Sequence, residues 1–191
     1  MIILALDIAT KTGWAVYDTS KPPSAIRVGV IATSGETHEQ KAALLAQKLV
    51  DLIKAEKPQV VWIEEPVRNV MPQKRVRKDA FGEHEESTIN AGTALLVNQL
   101  TGAAIAIVAG MRLPWGTVAS GTWRKTFLGF GRQRGWTRKD WKNAAREKCG
   151  QLGIVVTNDD QADAVGVAFA AAGIEQKNRT YAESVKQETM L

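Results

Sequence analysis

Residues 4–16, LALDIATKTGWAV, decide how the rest of the chain is read. The run is apolar from Ile2 onward and reads as a buried strand, yet it carries a carboxylate, Asp7, before breaking at Thr10, Lys11, Thr12 and Gly13. An ionised carboxylate in a buried strand costs several kcal/mol unless something neutralises it. The identity of that neutralising partner is the question the remaining sequence has to answer.

Working outward, residues 2–8, 13–18 and 26–33 are short, rich in β-branched side chains and separated by turn formers, which predicts three strands in an antiparallel meander. Ala42, Leu45, Leu49, Leu52 and Ile53 recur at helical steps within 38–57 and predict an amphipathic helix that stops before Pro58. Residues 59–66, QVVWIEEP, form a fourth predicted strand, and a crossover through a helix favours a parallel return. Residues 67–86 show no period and carry Arg68, Lys74, Arg75, Arg77 and Lys78, so a long surface loop is expected there, functional or disordered. Helices are predicted over 87–110, 122–128, 137–152 (with Thr137 as N-cap) and 159–172, and a fifth strand over 113–119. Together these predict a single α/β domain over 1–173, a mixed five-stranded sheet flanked by helices, and a loosely held polar tail over 174–191.

Composition narrows the partners. Lys and Arg outnumber Asp and Glu by 25 to 20, which makes a polyanion the first partner to consider. The single cysteine, Cys149, excludes an internal disulfide and a cysteine-based zinc site and suits a reducing, cytoplasmic setting. The opening residues are too short and uncharged for a signal peptide, and no apolar run is read as approaching the roughly 18 residues that span a bilayer, so no membrane partner is expected.

Acids stand where an apolar pattern would not put them at Asp7, at Glu64 closing the fourth strand, and at Asp160 and Asp163 opening the last helix. Parallel strands of an open sheet end on one edge, where ligands bind. Residues three apart share a helix face, so Asp160 and Asp163 can both point there. Such a cluster would repel itself unless partly protonated or occupied by metal, and hard oxygen donors favour Mg²⁺ or Mn²⁺ over zinc. Two such ions roughly 4 Å apart would clamp an in-line phosphoryl displacement. Each acid also has a structural reading: Asp7 could satisfy turn amides, Glu64 or Glu65 could be a solvated strand end, and Asp159 or Asp160 a helix N-cap. Strand alternation selects Glu64 over Glu65, because Glu64 shares a face with Trp62.

Between Gly121 and Gly150 nine basic residues face two acids, interleaved with Trp123, Phe127, Phe130, Trp136 and Trp141. Most of these aromatics are expected in the core and most of the charges on a solvated face. Arg132 and Arg134 lie in a Gly-rich stretch without helical period and are candidates for a phosphate-contacting loop. Lys11 and Thr12 belong equally to a plain turn or to a phosphate contact, and Cys149, His38 and His84 are assigned no role.

Taken in order, LALDIATKTGWAV, VVWIEEP, ASGTWRKTFLG and DDQADAVGVA resemble the RuvC family of Holliday junction resolvases, over roughly residues 1–173. The resemblance implies a ribonuclease H-like fold and metal-dependent phosphodiester hydrolysis of a four-way DNA junction by a homodimer using Mg²⁺ or Mn²⁺, two ions per site, with no small-molecule cofactor. It puts the family's four acids on Asp7, Glu64, Asp160 and Asp163, which would be both catalytic residues and metal ligands. A DNA contact falls on Arg124 or Lys125 and a second on Lys139. The loop over 67–86 is longer and more basic than in the bacterial housekeeping enzymes, and TWRKTFLG is similar to phage or prophage versions. Arg75, Arg77 and Lys78 in that loop are further candidates for DNA binding, and Phe81, its only aromatic, for the junction-centre aromatic of relatives. The helix over 87–110 is the candidate dimer interface.

Two other functions compete: a ribonuclease H-fold nuclease acting on flaps or RNA/DNA hybrid, and a non-catalytic module that binds branched DNA by shape. Four acids without metal would repel phosphate, which argues against the second. An actin-like sugar kinase also opens on strand, Asp and a Thr/Gly turn, but needs two such domains and more chain than 191 residues.

Overall fold

The computed structural model describes residues 1–66, 73–79, 82–88 and 91–189, with side chains over 1–66 and 92–183. In chain order the elements are β1 (Ile2–Asp7), β2 (Lys11–Asp18), β3 (Arg27–Ala32), α1 (His38–Glu56), β4 (Val60–Glu64), β5 (Gln73–Asp79), β6 (Gly82–Thr88), α2 (Ala91–Gly110), β7 (Trp115–Val118), α3 (Ser120–Leu128), α4 (Arg138–Gln151) and α5 (Asp159–Thr189). The main sheet runs β3-β2-β1-β4-β7. Its first three strands pair antiparallel, and β4 and β7 join parallel to β1 and β4, as the crossovers through α1 and α2 require. This is the expected mixed five-stranded α/β sheet.

Local chemistry explains the element ends. Thr37 and Gln40 form a capping box at the start of α1, and Lys57, in the left-handed region at φ 50°, ends that helix before Pro58. Thr137 and Asp140 form a second box at the start of α4, confirming the expected N-cap. Thr12 is fully buried and donates to the Ala9 carbonyl at 2.8 Å, so it closes the β1–β2 turn.

Strand alternation divides the core in two. Leu4, Leu6, Val61 and Ile63 face α1 and α2, where they meet Leu45, Leu49, Leu100 and Val108. Ile3, Ala5, Val60 and Trp62 face α3, α4 and α5, against Trp123, Phe127, Cys149, Val165 and Ala168. Following the same alternation to the strand ends puts Asp7 and Glu64 on the α5 side. The last helix packs directly on β1 and β2, and its run of Ala, Val and Gly permits that close approach.

Three expectations need correction. Residues 67–86 are not one long loop, because β5 and β6 pair as an antiparallel hairpin. Its register sets Arg75 opposite Glu86 and Lys78 opposite Glu83, in strands without apolar alternation. The last helix does not stop at 172 but continues to Thr189, and Glu175, assigned to a loosely held tail, accepts a hydrogen bond from Trp62 Nε1 at 3.0 Å. Finally, α2 does contain an apolar run of spanning length: Gly92–Gly110 has a mean hydropathy of 1.6 and is only 28% buried. Leu96, Leu100, Ala104 and Val108 form its inward stripe, at steps of four, while Leu95 on the outer side is 57% exposed.

Candidate metal centre and basic loop

Asp7 ends β1 opposite Gly13 of β2. A Cβ on Gly13 would lie 1.9 Å from the carbonyl oxygen of Asp160, so the absent side chain is what lets the first turn of α5 lie against the β1–β2 edge. That turn is capped by Asn158, whose Oδ1 accepts from Gln161 N at 2.9 Å. The capping role considered for Asp159 or Asp160 is thus filled by the preceding residue.

Asp7, Glu64, Asp160 and Asp163 come together electrostatically. Burial is the largest reason that Asp7 is held well above the usual carboxylate range; the charges of Glu64 and Asp163, a hydrogen bond shared with Glu64, and the charge of Asp160 add to it. Asp7 keeps some accessible surface, yet protein surrounds it on most sides. The Asp163 carboxyl is pushed up to about 7, first by burial and then by Glu64, while Lys142 and Arg124 pull it back. Glu64, not its neighbour Glu65, is the β4 acid that acts on both.

Among the described residues no three His, Cys, Asp or Glu side chains already enclose a metal-sized point. The donor set is nonetheless of the kind that suits a hard divalent cation, all carboxylate oxygen and drawn from three separate elements.

Two basic side chains lie close to these acids. Lys142 Nζ donates to Asp159 at 3.0 Å, and Arg146 reaches the same carboxylate at 3.6 Å, tying α4 to the start of α5. Sequence reading passed over Lys142 as part of a solvated face. The available signal was its place on the Lys142, Ala145, Cys149 stripe, the last two of which are buried. Burial pushes the Cys149 thiol up to about 12, with Asp163 adding to it, which removes thiolate chemistry there.

The basic candidates divide into groups. Arg124, Arg132 and Arg134 line one open hollow with Gly131, Gln133 and Trp141. Lys125 and Lys139 are exposed and do not line it. Arg75, Arg77 and Lys78 lie on β5, and Phe81 lies outside the described residues. Trp123 and Phe127 are core residues at 1% and 3% exposure, as expected, whereas Trp136 is 37% exposed.

No family model and no curated protein sequence matches this chain. Solved structures do. Thermus thermophilus RuvC in complex with a Holliday junction substrate is 16% identical, with 93% of this chain and 96% of that one covered and a TM-score of 0.67. A second T. thermophilus RuvC structure is 17% identical over 93% and 97% of the two chains, with a TM-score of 0.62. Ydc2, the yeast mitochondrial Holliday junction resolvase, is 12% identical over 97% and 85%, with a TM-score of 0.57. At these identities the likeness is one of architecture, and it extends over nearly the full length of each pair: this chain has the fold of RuvC.

Proposed function

We propose that this protein is a divalent-metal-dependent endonuclease that resolves four-way DNA junctions. One observation carries the reading: acids from β1, β4 and α5 gather at one sheet edge of a fold that RuvC uses in complex with a Holliday junction. In this reading Asp7, Glu64, Asp160 and Asp163 hold Mg²⁺ or Mn²⁺. The ions supply Lewis-acid charge stabilisation and water activation for phosphodiester hydrolysis. The chain's own part is to hold the carboxylates. The Gly13 contact seats Asp160, the Asn158 cap sets the helix start, and the Lys142–Asp159 pair ties α4 to that turn.

A symmetric junction calls for two acid centres, which a homodimer supplies. The outer side of α2 supports that arrangement. Gly92, Leu95, Gly102 and Ala106 are exposed at helical spacing, with Gln99 on the same side, and small residues allow two helices to pack closely.

The test incubates the protein with a synthetic immobile four-way junction, with and without Mg²⁺ or Mn²⁺, beside duplex, flap and RNA/DNA hybrid controls. Paired symmetric nicks on the junction alone, and only with metal, are expected. Asp7→Asn should lower nicking by more than about a hundredfold while leaving junction binding intact or tighter, since it removes a ligand and a negative charge together. Preferential cutting of hybrid or flaps would change the substrate. Tight junction binding with no cleavage under any metal would overturn the nuclease and leave a binding module.

A further inference from the structure

Trp62 and Glu64 stand two residues apart on one face of β4, and Trp62 is 8% exposed. Its partners across the sheet are both small, Ala5 on β1 and Gly116 on β7. The indole fills the room that Gly116 leaves: a Cβ there would stand 3.0 Å from Cη2 and Cζ3 of the ring. Its Nε1 donates to Glu175 Oε1 of α5 at 3.0 Å. One side chain thereby joins the strand that carries Glu64 to the helix that carries Asp160 and Asp163.

The course of α5 gives that bond a lever. Asp160 lies against Gly13 at the acid edge, and Arg179 reaches Met1 Sδ at 3.1 Å, so the helix runs back along β1 to its start. The buried side of the helix is built largely of small residues, with Ala162, Ala164, Ala168 and Ala171 fully buried. Such a face permits close approach but offers few knobs against sliding along the helix axis. The Gly13 contact limits how near the first turn comes, and a repulsion at one point does not fix the axial position. Phe169 packs on Tyr17 and Phe127, which ties α5 to β2 and α3. The directional link to β4 is the bond from Trp62. Glu175 lies roughly three turns beyond Asp163, and a hydrogen-bonded helix moves as a rod, so an axial shift at Glu175 is carried to Asp160 and Asp163.

We propose that Glu175 is a positioning residue for the metal centre: through Trp62 it fixes the axial register of α5 on β4, and with it the separation of Glu64 from Asp160 and Asp163. The proposal rests on the nuclease reading and deepens it, because it assigns a part in metal binding to a residue outside the carboxylate set. Ligands must converge within about 0.5 Å of the productive geometry, so a loss of register weakens the hold on metal before it affects the chemistry of the loaded site.

The experiment uses the full chain and follows two quantities over one Mg²⁺ series: Tm without DNA, and nicking of a synthetic four-way junction. It compares the unsubstituted protein with Glu175→Ala, Glu175→Gln and Trp62→Phe. Glu175→Ala should raise the Mg²⁺ midpoint of both quantities about fivefold, less than the roughly 10–100-fold that follows loss of a partner bonded directly to a ligand. Its nicking at saturating Mg²⁺ should fall less than about twofold, a split that general destabilisation does not produce. Glu175→Gln should restore the midpoint, because the amide oxygen accepts the same bond. Trp62→Phe keeps a ring without the donor and should share the raised midpoint. An alanine variant with a lower Tm and an unchanged midpoint overturns the proposal and spares the nuclease, as does a glutamine variant no better than alanine. Cutting of a different DNA with the same shift in midpoint supports the positioning role and changes only the substrate. An unsubstituted protein whose Tm responds to neither Mg²⁺ nor Mn²⁺ and that cuts no DNA overturns the metal reading and the proposal together.

Discussion

On one face of the central sheet Leu4, Leu6, Val61 and Ile63 meet the leucines and valines of α1 and α2 in an apolar cluster. On the other, Ile3, Ala5, Val60 and Trp62 meet α3, α4 and α5, and the next residue of each strand on that side is an acid, Asp7 or Glu64. The same two strands write both faces. The first is pure burial, whose worth scales with apolar area removed from water. The second gives up part of that burial to keep carboxylates half out of water, and their raised proton affinities record the cost. Stability and chemistry thus sit on opposite sides of one layer, and a substitution can be aimed at either.

The sharpest separation comes from Leu100→Ala, on the apolar face. Leu100 is fully buried, so the cavity should cost about 2–5 kcal/mol of stability. For a domain of this size that lowers Tm by roughly 2–4 °C per kcal/mol, read by thermal denaturation. Nicking per folded molecule should stay unchanged at a temperature well below the new Tm. A drop in activity beyond the drop in folded protein would break the division between the faces.

Next in size is Gly13→Ala, where the added Cβ meets backbone at 1.9 Å and the start of α5 must move. Overpacking of this kind costs about 1–3 kcal/mol. Because the displaced residue is Asp160, nicking should fall by roughly tenfold even in the folded fraction, as misplacement of a positioned group does. Gly29→Ala is the comparison: its Cβ meets the Trp14 side chain instead, and it should destabilise without a separate effect on activity. Equal activity in the two variants would sink the role given to Gly13.

The smallest effect has the opposite sign. The Asp163 carboxyl titrates near 7 in the fold against an ordinary 3.8, so between these values the folded protein holds a proton that the unfolded chain releases. Raising pH through that window therefore costs stability, and the whole penalty is present above about 7. Asp163→Asn removes it. The metal-free variant should melt roughly a few degrees above the unsubstituted protein at about pH 8, with the gain vanishing below about pH 4. Added Mg²⁺ should stabilise the unsubstituted protein and reverse the order. A variant that melts lower at pH 8 without metal would show that Asp163 is a structural acid.

The acid candidates were legible because each interrupts an apolar pattern: Asp7 in a strand, Glu64 at a strand end, and Asp160 with Asp163 ahead of an Ala-rich helix. The hairpin of β5 and β6 was not, because its strands, QKRVRKD and GEHEEST, carry no apolar period. Lys142 was missed for a related reason. A lysine in a basic helix reads as solvated until the helix it faces is known to carry Asp159. Arg132 and Arg134 were marked as loop residues, but their common hollow with Arg124 depends on aromatic packing between residues far enough apart to give no local signal.

Taken by itself, the sequence determined the alternation of the strands, the crossover that makes β4 parallel to β1, the Thr137 cap and the choice of Glu64 over Glu65 by strand face. These are local or periodic properties, set by backbone geometry and by which residues avoid water. Only the tertiary structure decided that Gly13 admits the start of α5 and that Arg124 acts on Asp163 while lining the basic hollow. Each of these depends on the close approach of segments distant in sequence, and close packing, where a single Cβ suffices to forbid a contact, leaves no trace in any one segment.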